Sequence, residues 1–253
     1  VTFDMKGPTK RHEMYKEYKA NRHGMPDELA EQMPVIKDVL RAMNIDIIEK
    51  EGYEGDDILG TLAKYGEKQG LEVTILSGDR DTFQLASDNI TIRIPRTKAG
   101  KTETELFDRE KVKEVYGIEP KQLIEVKGLQ GDTSDNIPGV PGIGEKTAVN
   151  LLSKYKTLDG VYQNIDDISG KTKEKLLADK DNAYMSYDIA TIYREVPLDF
   201  TLNELEYTGF DKERFLGILH ELEFFSLLRK MNVYDDEPSI INSQSKDEFE
   251  FAD

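Results

Sequence analysis

Acidic residues recur where short apolar runs end. Asp4 follows Val1-Thr2-Phe3, and Glu54, Asp56 and Asp57 lie beyond Ile45–Ile48. Asp79 and Asp81 follow Val73–Leu76, and Asp132 and Asp135 sit in a glycine-bounded loop. The apolar runs read as buried strands alternating with helices. One such helix, Asp56–Gln69, has Ile58, Leu59, Leu62 and Tyr65 on its inner side and stops at Gly70. Further strands are expected at Thr91–Ile94 and Glu105–Phe107, joined through Lys98-Ala99-Gly100, with a short helix around Phe83–Ala86. Alternation up to residue 107 predicts an α/β layer with a mainly parallel sheet. Strand carboxyl ends share one edge of such a sheet, so acids carried there converge in one crevice.

Eight crowded carboxylates repel one another unless cations neutralise them. Oxygen-only donors, without Cys or His, select hard ions such as Mg²⁺ or Mn²⁺. Two of them can support phosphoryl hydrolysis. Helix starts favour acids in any case, as caps and dipole partners, and Asp56 and Asp108 fit that reading equally well. The grouped acids in strand-end and loop positions do not, and none has the twelve-residue spacing of an EF-hand calcium loop.

From Asp108 onward the pattern is helical, with helices expected at 108–116, 120–129, 144–155, 171–178, 181–193 and 211–230. An earlier helix follows Pro26 through Met43, with Pro34 expected to kink it. The stretch Gly139-Val140-Pro141-Gly142-Ile143-Gly144-Glu145-Lys146-Thr147 precedes an amphipathic helix. Its glycines allow tight backbone geometry and leave helix-start N–H groups to face an anion, as in a helix-hairpin-helix that grips a nucleic-acid phosphate. A plain turn between helices is the alternative. A Walker loop and a Rossmann fingerprint are excluded by the spacing and by the lack of a preceding strand.

Net charge argues the other way at first sight. The chain carries 34 basic and 50 acidic residues, a formal charge of −16, where a nucleic-acid binder usually shows a basic footprint. The tail from Tyr234 to Asp253, which reads as an acidic linker, supplies −6, and the eight clustered acids supply −8. Residues 6–22 hold a local positive excess in Lys6, Lys10, Arg11, Lys16, Lys19 and Arg22 against Glu13 and Glu17. Zero cysteines exclude disulfides, thiolate metal sites and cysteine nucleophiles, and suit a reducing cytoplasm. No apolar run approaches the roughly 20 residues a membrane helix needs. Val1-Thr2-Phe3-Asp4 reads as the end of a strand without an initiator methionine, so the chain reads as a fragment.

Together, Phe3-Asp4, Arg11-His12-Glu13, Tyr18-Lys19 with Arg22, Tyr53-Glu54-Gly55-Asp56-Asp57, Ser77-Gly78-Asp79-Arg80-Asp81 and the run from Gly131 to Ala148 resemble the 5′-nuclease domain of bacterial DNA polymerase I, within the flap endonuclease family. The resemblance covers about residues 1–231, with Gly55 in place of the usual alanine. It implies a PIN-like α/β core over 1–107 with a helical arch at about 6–24. A helical helix-hairpin-helix region over 108–231 and an acidic linker over 232–253 toward a polymerase part follow. Metal ligands are implied at Asp4, Glu54 and Asp56 for one ion and at Asp79, Asp81, Asp132 and Asp135 for a second, with Asp57 beside them. Lys19 and Arg22 are implied at the scissile phosphate and Tyr18 as a base-stacking group. Arg11, Gly139, Val140, Gly142, Ile143, Gly144, Lys146 and Thr147 are implied as DNA contacts, with K⁺ an option at the hairpin.

The implied activity is two-metal-ion hydrolysis, with Mg²⁺ or Mn²⁺, at the 5′ end or flap of nicked or gapped DNA, RNA–DNA primer junctions included. It implies a cytoplasmic monomer serving primer removal and repair. Relatives begin with a further strand bearing an Asp-Gly ligand and a helix that this chain lacks. A DNA-junction binding module without catalysis therefore stays open, as does a PIN-type ribonuclease.

Overall fold

A computed structural model describes residues 1–98 and 101–230. The described residues form two compact units, one from residues 1–26 and 47–206, the other from 27–46 and 207–230.

In the first unit a three-stranded sheet is built from β1 (Val73–Leu76), β2 (Ile90–Lys98) and β3 (Lys101–Phe107), in that order. β1 and β2 pair in parallel, with Val73 opposite Ile90. β2 and β3 pair antiparallel, with Ile92 opposite Phe107, because a short connection can only return the chain alongside itself. The expected turn residues Ala99 and Gly100 lie outside the described residues. The strand expected at Ile45–Ile48 reduces to one parallel bridge, Thr2 with Ile48, held by the Ile48 N–H donating to Val1 O at 2.9 Å. Leu76 is 64% exposed, so the final residue of β1 is not packed in the core.

The sheet's apolar side, with Ile75, Ile90, Ile92 and Phe107, packs with Phe83, Leu85 and Ala63. Ala63 belongs to α2 (Gly55–Lys68), the first long helix of this unit after the five-residue α1 (Lys10–Met14). The short helix expected near Phe83 is a 3-10 turn, Arg80–Leu85, whose N-cap Asp79 accepts from Asp81 N–H at 2.8 Å. Phe83 and Phe107 stack with ring centroids 4.3 Å apart.

Six more helices complete the unit: α3 (Arg109–Tyr116), α4 (Gln122–Gln130), α5 (Glu145–Tyr155), α6 (Leu158–Gln163), α7 (Gly170–Ala178) and α8 (Lys180–Ala190). Asp108 caps α3 by accepting from Lys111 N–H at 2.7 Å, and Gly117 ends it at φ 72°. Their core holds Leu129, Ala148, Leu152, Val161, Leu176 and Ala183, each essentially inaccessible. α6 is the helix missing from the expected set; Thr157 caps it through Gly160 N–H.

The second unit holds α9 (Asp27–Ala42), α10 (Lys212–Glu221) and α11 (Phe225–Lys230), closed by Ala42, Phe215, Leu219 and Leu228. α9 continues through Pro34 as one helix. The single helix expected over 211–230 breaks instead, because Glu223 takes a left-handed φ of 57° and Phe224 N–H reaches back to Leu219 O. Among the described residues, no helix is long and apolar enough to cross a membrane.

Candidate active site

The acids reach one cleft from four places in the first unit. Asp4 follows the bridge strand, and its Oδ1 accepts from Gly55 N–H, the first residue of α2, at 2.6 Å. Glu54 is the N-cap of α2 and Asp56 lies in its first turn. Asp79 and Asp81 open the 3-10 turn after β1. Asp132 and Asp135 come from the loop after α4. That loop is closed by reciprocal backbone bonds between Asp132 and Ile137, both 2.8 Å, and by Ser134 donating to Asp132 Oδ1 from N–H and hydroxyl.

The cleft, a space of about 30 Å³, is lined by Glu54, Asp56, Asp79, Asp81 and Asp135 together with Tyr18 and Lys19. Asp132 adjoins it through Lys127, which bonds Asp81 and reaches Asp132 Oδ2 at 2.6 Å. Lys19 Nζ donates to Glu54 Oε2 at 2.8 Å, and Arg22 pairs with Asp135. The segment carrying both cations is pinned to the acid loop. Lys19 N–H donates to Asp135 O, Asn136 Nδ2 to Glu17 O and Asn21 Nδ2 to Thr133 O.

Electrostatics grade the acids. Burial, reinforced by Asp79, Asp4, Asp81 and Glu54, pushes the Asp56 carboxyl up to about 7. Burial also raises Asp81, and the attraction of Lys127 opposes it without prevailing, because Asp79 and Asp132 stand nearby. For Asp132 burial again pushes upward, yet the bonds from Lys127 and Ser134 win and hold it at about 2. The two acids that share Lys127 thus shift in opposite directions, Asp132 also accepting from Ser134.

Three expected roles change. Asp57 is not in the cleft. Its Oδ1 and Oδ2 take a bidentate pair from Arg11 at 2.7 and 2.8 Å, and they also accept from Tyr193 N–H and Glu54 N–H. Both residues are buried, Asp57 at 2% and Arg11 at 7% exposure, and Arg11 further donates to Ile189 O and Thr191 O. Neither has an atom to spare for a metal or a phosphate; they are a structural pair that starts α2. Tyr18 is 3% exposed, its hydroxyl directed at Glu54 Oε2 (3.2 Å), so its ring packs in the core with Ile189 instead of awaiting a base. The arch expected at about 6–24 is the short α1 followed by turns lying on the acid loop.

The hairpin turn divides likewise. Val140 and Ile143 are buried, and their N–H groups donate to Leu129 O and Val140 O. The Gly139 N–H donates to buried Ser186 Oγ at 2.9 Å. These three shape the turn. Gly142 (φ 79°), Gly144, Lys146 and Thr147 stand on its outer side at the N-terminus of α5, with Lys175 Nζ donating to Gly142 O at 2.8 Å. Lys127 is the site residue the sequence reading missed. The signal was its place in the last turn of the helix that delivers Asp132.

Residues 1–117 match the family "5'-3' exonuclease, N-terminal resolvase-like domain", and residues 118–213 match "5'-3' exonuclease, C-terminal SAM fold". The chain belongs to the 5′-3′ exonuclease family. It is 48% identical over 232 residues to DNA polymerase I of Bacillus subtilis, covering 91% of this chain and 26% of that protein. DNA polymerase I of Bacillus caldotenax is 47% identical over the same coverage. The chain therefore spans about a quarter of the length of the curated relatives it matches. A solved structure of the bacteriophage T5 flap endonuclease with DNA and metal ions aligns with TM-score 0.63 at 22% identity, covering 76% of this chain and 73% of that one. The exonuclease fold is thus a PIN-like, resolvase-type α/β domain followed by a helical one. The matched domains meet after Gly117, which assigns α3 to the first.

Divalent ions suit this cleft by the chemistry of its donors. Seven carboxylates line or adjoin the cleft, where Lys19, Arg22 and Lys127 pair with Glu54, Asp135, Asp81 and Asp132 and Arg11 stands 3.8 Å from Glu54, and burial among the remaining negative charge keeps Asp56 raised. Among the described residues, no three acid or histidine groups already close on one point as an ion's ligands.

Proposed function

We propose that this chain hydrolyses phosphodiester bonds near the 5′ end of flapped or nicked DNA, with two Mg²⁺ or Mn²⁺ ions held by Asp4, Glu54, Asp56, Asp79, Asp81, Asp132 and Asp135. The observation that carries the proposal is the convergence of these acids, from four chain segments, beside three cationic side chains. Bound ions supply an activated water and stabilise charge on the leaving oxygen. The chain's own groups do the rest. Burial and neighbouring acids raise the Asp56 carboxyl, and positive charge entering the cleft favours its ionised, metal-binding form. Lys19 and Arg22 sit on the cleft's rim, where they can turn from Glu54 and Asp135 to the incoming phosphate. The exposed N–H groups at Gly144, Glu145 and Lys146 can hold a duplex phosphate without reading its base.

In Mg²⁺, the chain should release short oligonucleotides from a 5′-labelled flap duplex. Asp79→Asn should lower that rate at least about 100-fold, the scale of losing a positioned charge group. Undiminished cleavage by Asp79→Asn would overturn the metal assignment. Tight flap binding by the wild type with no cleavage at any Mg²⁺ or Mn²⁺ concentration would instead favour a junction-binding module.

A further inference from the structure

A cavity of about 460 Å³ lies against the same Arg11–Asp57 pair. Arg11 lines both this cavity and the carboxylate cleft, so its side chain is a shared wall. The cavity's other side chains serve neither the metal site nor the hairpin. Tyr53 and Tyr193 stack with ring centroids 5.7 Å apart and planes at 29°. Lys10 Nζ stands 4.4 Å from the Tyr53 centroid and 4.9 Å from that of Tyr193. Tyr187 adds a third ring to the lining, and the carboxylates of Glu13 and Asp188 are exposed at the mouth.

Tyr193 anchors the chain through its backbone N–H to Asp57 Oδ1, while the residue is 41% exposed. Lys10 is exposed too. The cavity therefore presents a partly exposed aromatic pair, one exposed cation beside it and two acceptors. A planar ring can stack on the first. A carbonyl or phosphate oxygen can meet Lys10, and ring or amino N–H groups can meet the carboxylates. A simple organic cation fits less well, because the charge of Lys10 already stands beside both rings and would repel it. A paired base keeps its faces within the duplex, so the matching ligand is an unpaired one.

We propose that this cavity takes an unpaired nucleobase of a DNA strand passing the carboxylate cleft. This rests on the DNA-cleaving reading above, and it adds a stacking subsite built from Tyr193, Tyr53 and Lys10.

Binding of the chain to fluorescent duplexes, with and without a 5′ single-stranded flap, is measured by anisotropy in EDTA to prevent cleavage. Tyr193→Ala should weaken flap-duplex binding roughly 5- to 150-fold, the range of one lost base-stacking contact. It should leave binding of the unflapped duplex and the melting temperature unchanged, and Tyr193→Phe should bind as wild type. Abasic sites through the flap should weaken wild-type binding equally and erase the effect of Tyr193→Ala. Wild-type flap binding indifferent to both Tyr193→Ala and abasic sites overturns the subsite alone. Failure of the wild type to bind either duplex overturns the functional reading, and the subsite with it.

Discussion

Asp56 and Asp57 are adjacent acids with opposite fates, decided by what surrounds each. Asp57 points back under the start of α2 and meets a guanidinium with two backbone donors, so its charge is fully compensated. Asp56 faces four other acids. Its carboxyl sits at about 7, against 3.8 for the ordinary group. A group whose pKa rises on folding favours the fold fully below the unfolded value, and that contribution is lost as pH climbs through the folded one. In EDTA, Asp56→Asn should therefore match wild-type stability near pH 4 and exceed it by about 2–4 kcal/mol at pH 8. Urea titrations at the two pH values measure the difference; equal stability at pH 8 would show that Asp56 is not under charge stress. The sequence marks both acids as metal candidates because a Glu-x-Asp-Asp pattern carries no sign of which way each carboxylate turns. The same limit hid Arg11 and Tyr18, whose types suit DNA contact but whose burial assigns them to the core.

At the scale of elements, local signals located most of the helices and the three strands, since period and capping residues are written locally. They failed where tertiary context took over. Ile45–Ile48 has strand composition but gains only one bridge. The 211–230 run has unbroken helical composition, yet Glu223 turns left-handed so that Phe224 can close α10. The acid loop shows the converse, a local sequence whose need is tertiary. Gly131 and Gly139 (φ 76° and 59°) face each other across the turn, and a Cβ on Gly139 would lie 2.1 Å from Gly131 N. Gly139→Ala should destabilise the chain by roughly 2–4 kcal/mol, through backbone strain and a clash that backbone atoms cannot evade. It should also displace Asp132 and Asp135, so thermal melting and Mn²⁺ affinity should fall together. A variant that melts like wild type would mean that the loop tolerates a Cβ.

For the whole molecule, net charge misleads and its distribution informs. The formal −16 contains the acidic tail and the clustered acids, and the clustered part is what a divalent ion addresses. Mg²⁺ should raise the melting temperature beyond NaCl of equal ionic strength. At saturation near 100 times Kd the gain is about 2.7 kcal/mol, or roughly 5–10 °C for a chain of this size. Paired Asp79→Asn and Asp81→Asn changes should remove that excess; its survival would place the stabilising ions elsewhere. The division into units was the least legible feature. A helix at 27–42 and a pair beyond residue 206 share one core, and no periodicity reveals that segments so far apart in sequence close on each other.

The sequence by itself determined that this is an α/β chain with a helical second half, and it marked the acids and the glycine-rich turn. Those features depend on residue type, period and spacing, which are local. Only the tertiary structure decided which acids face the cleft, that Arg11 and Asp57 are a buried pair, and that Lys127 bridges Asp81 and Asp132. Each of those outcomes depends on side chains meeting across dozens of residues, and burial and neighbouring charge at the meeting point set what they can do.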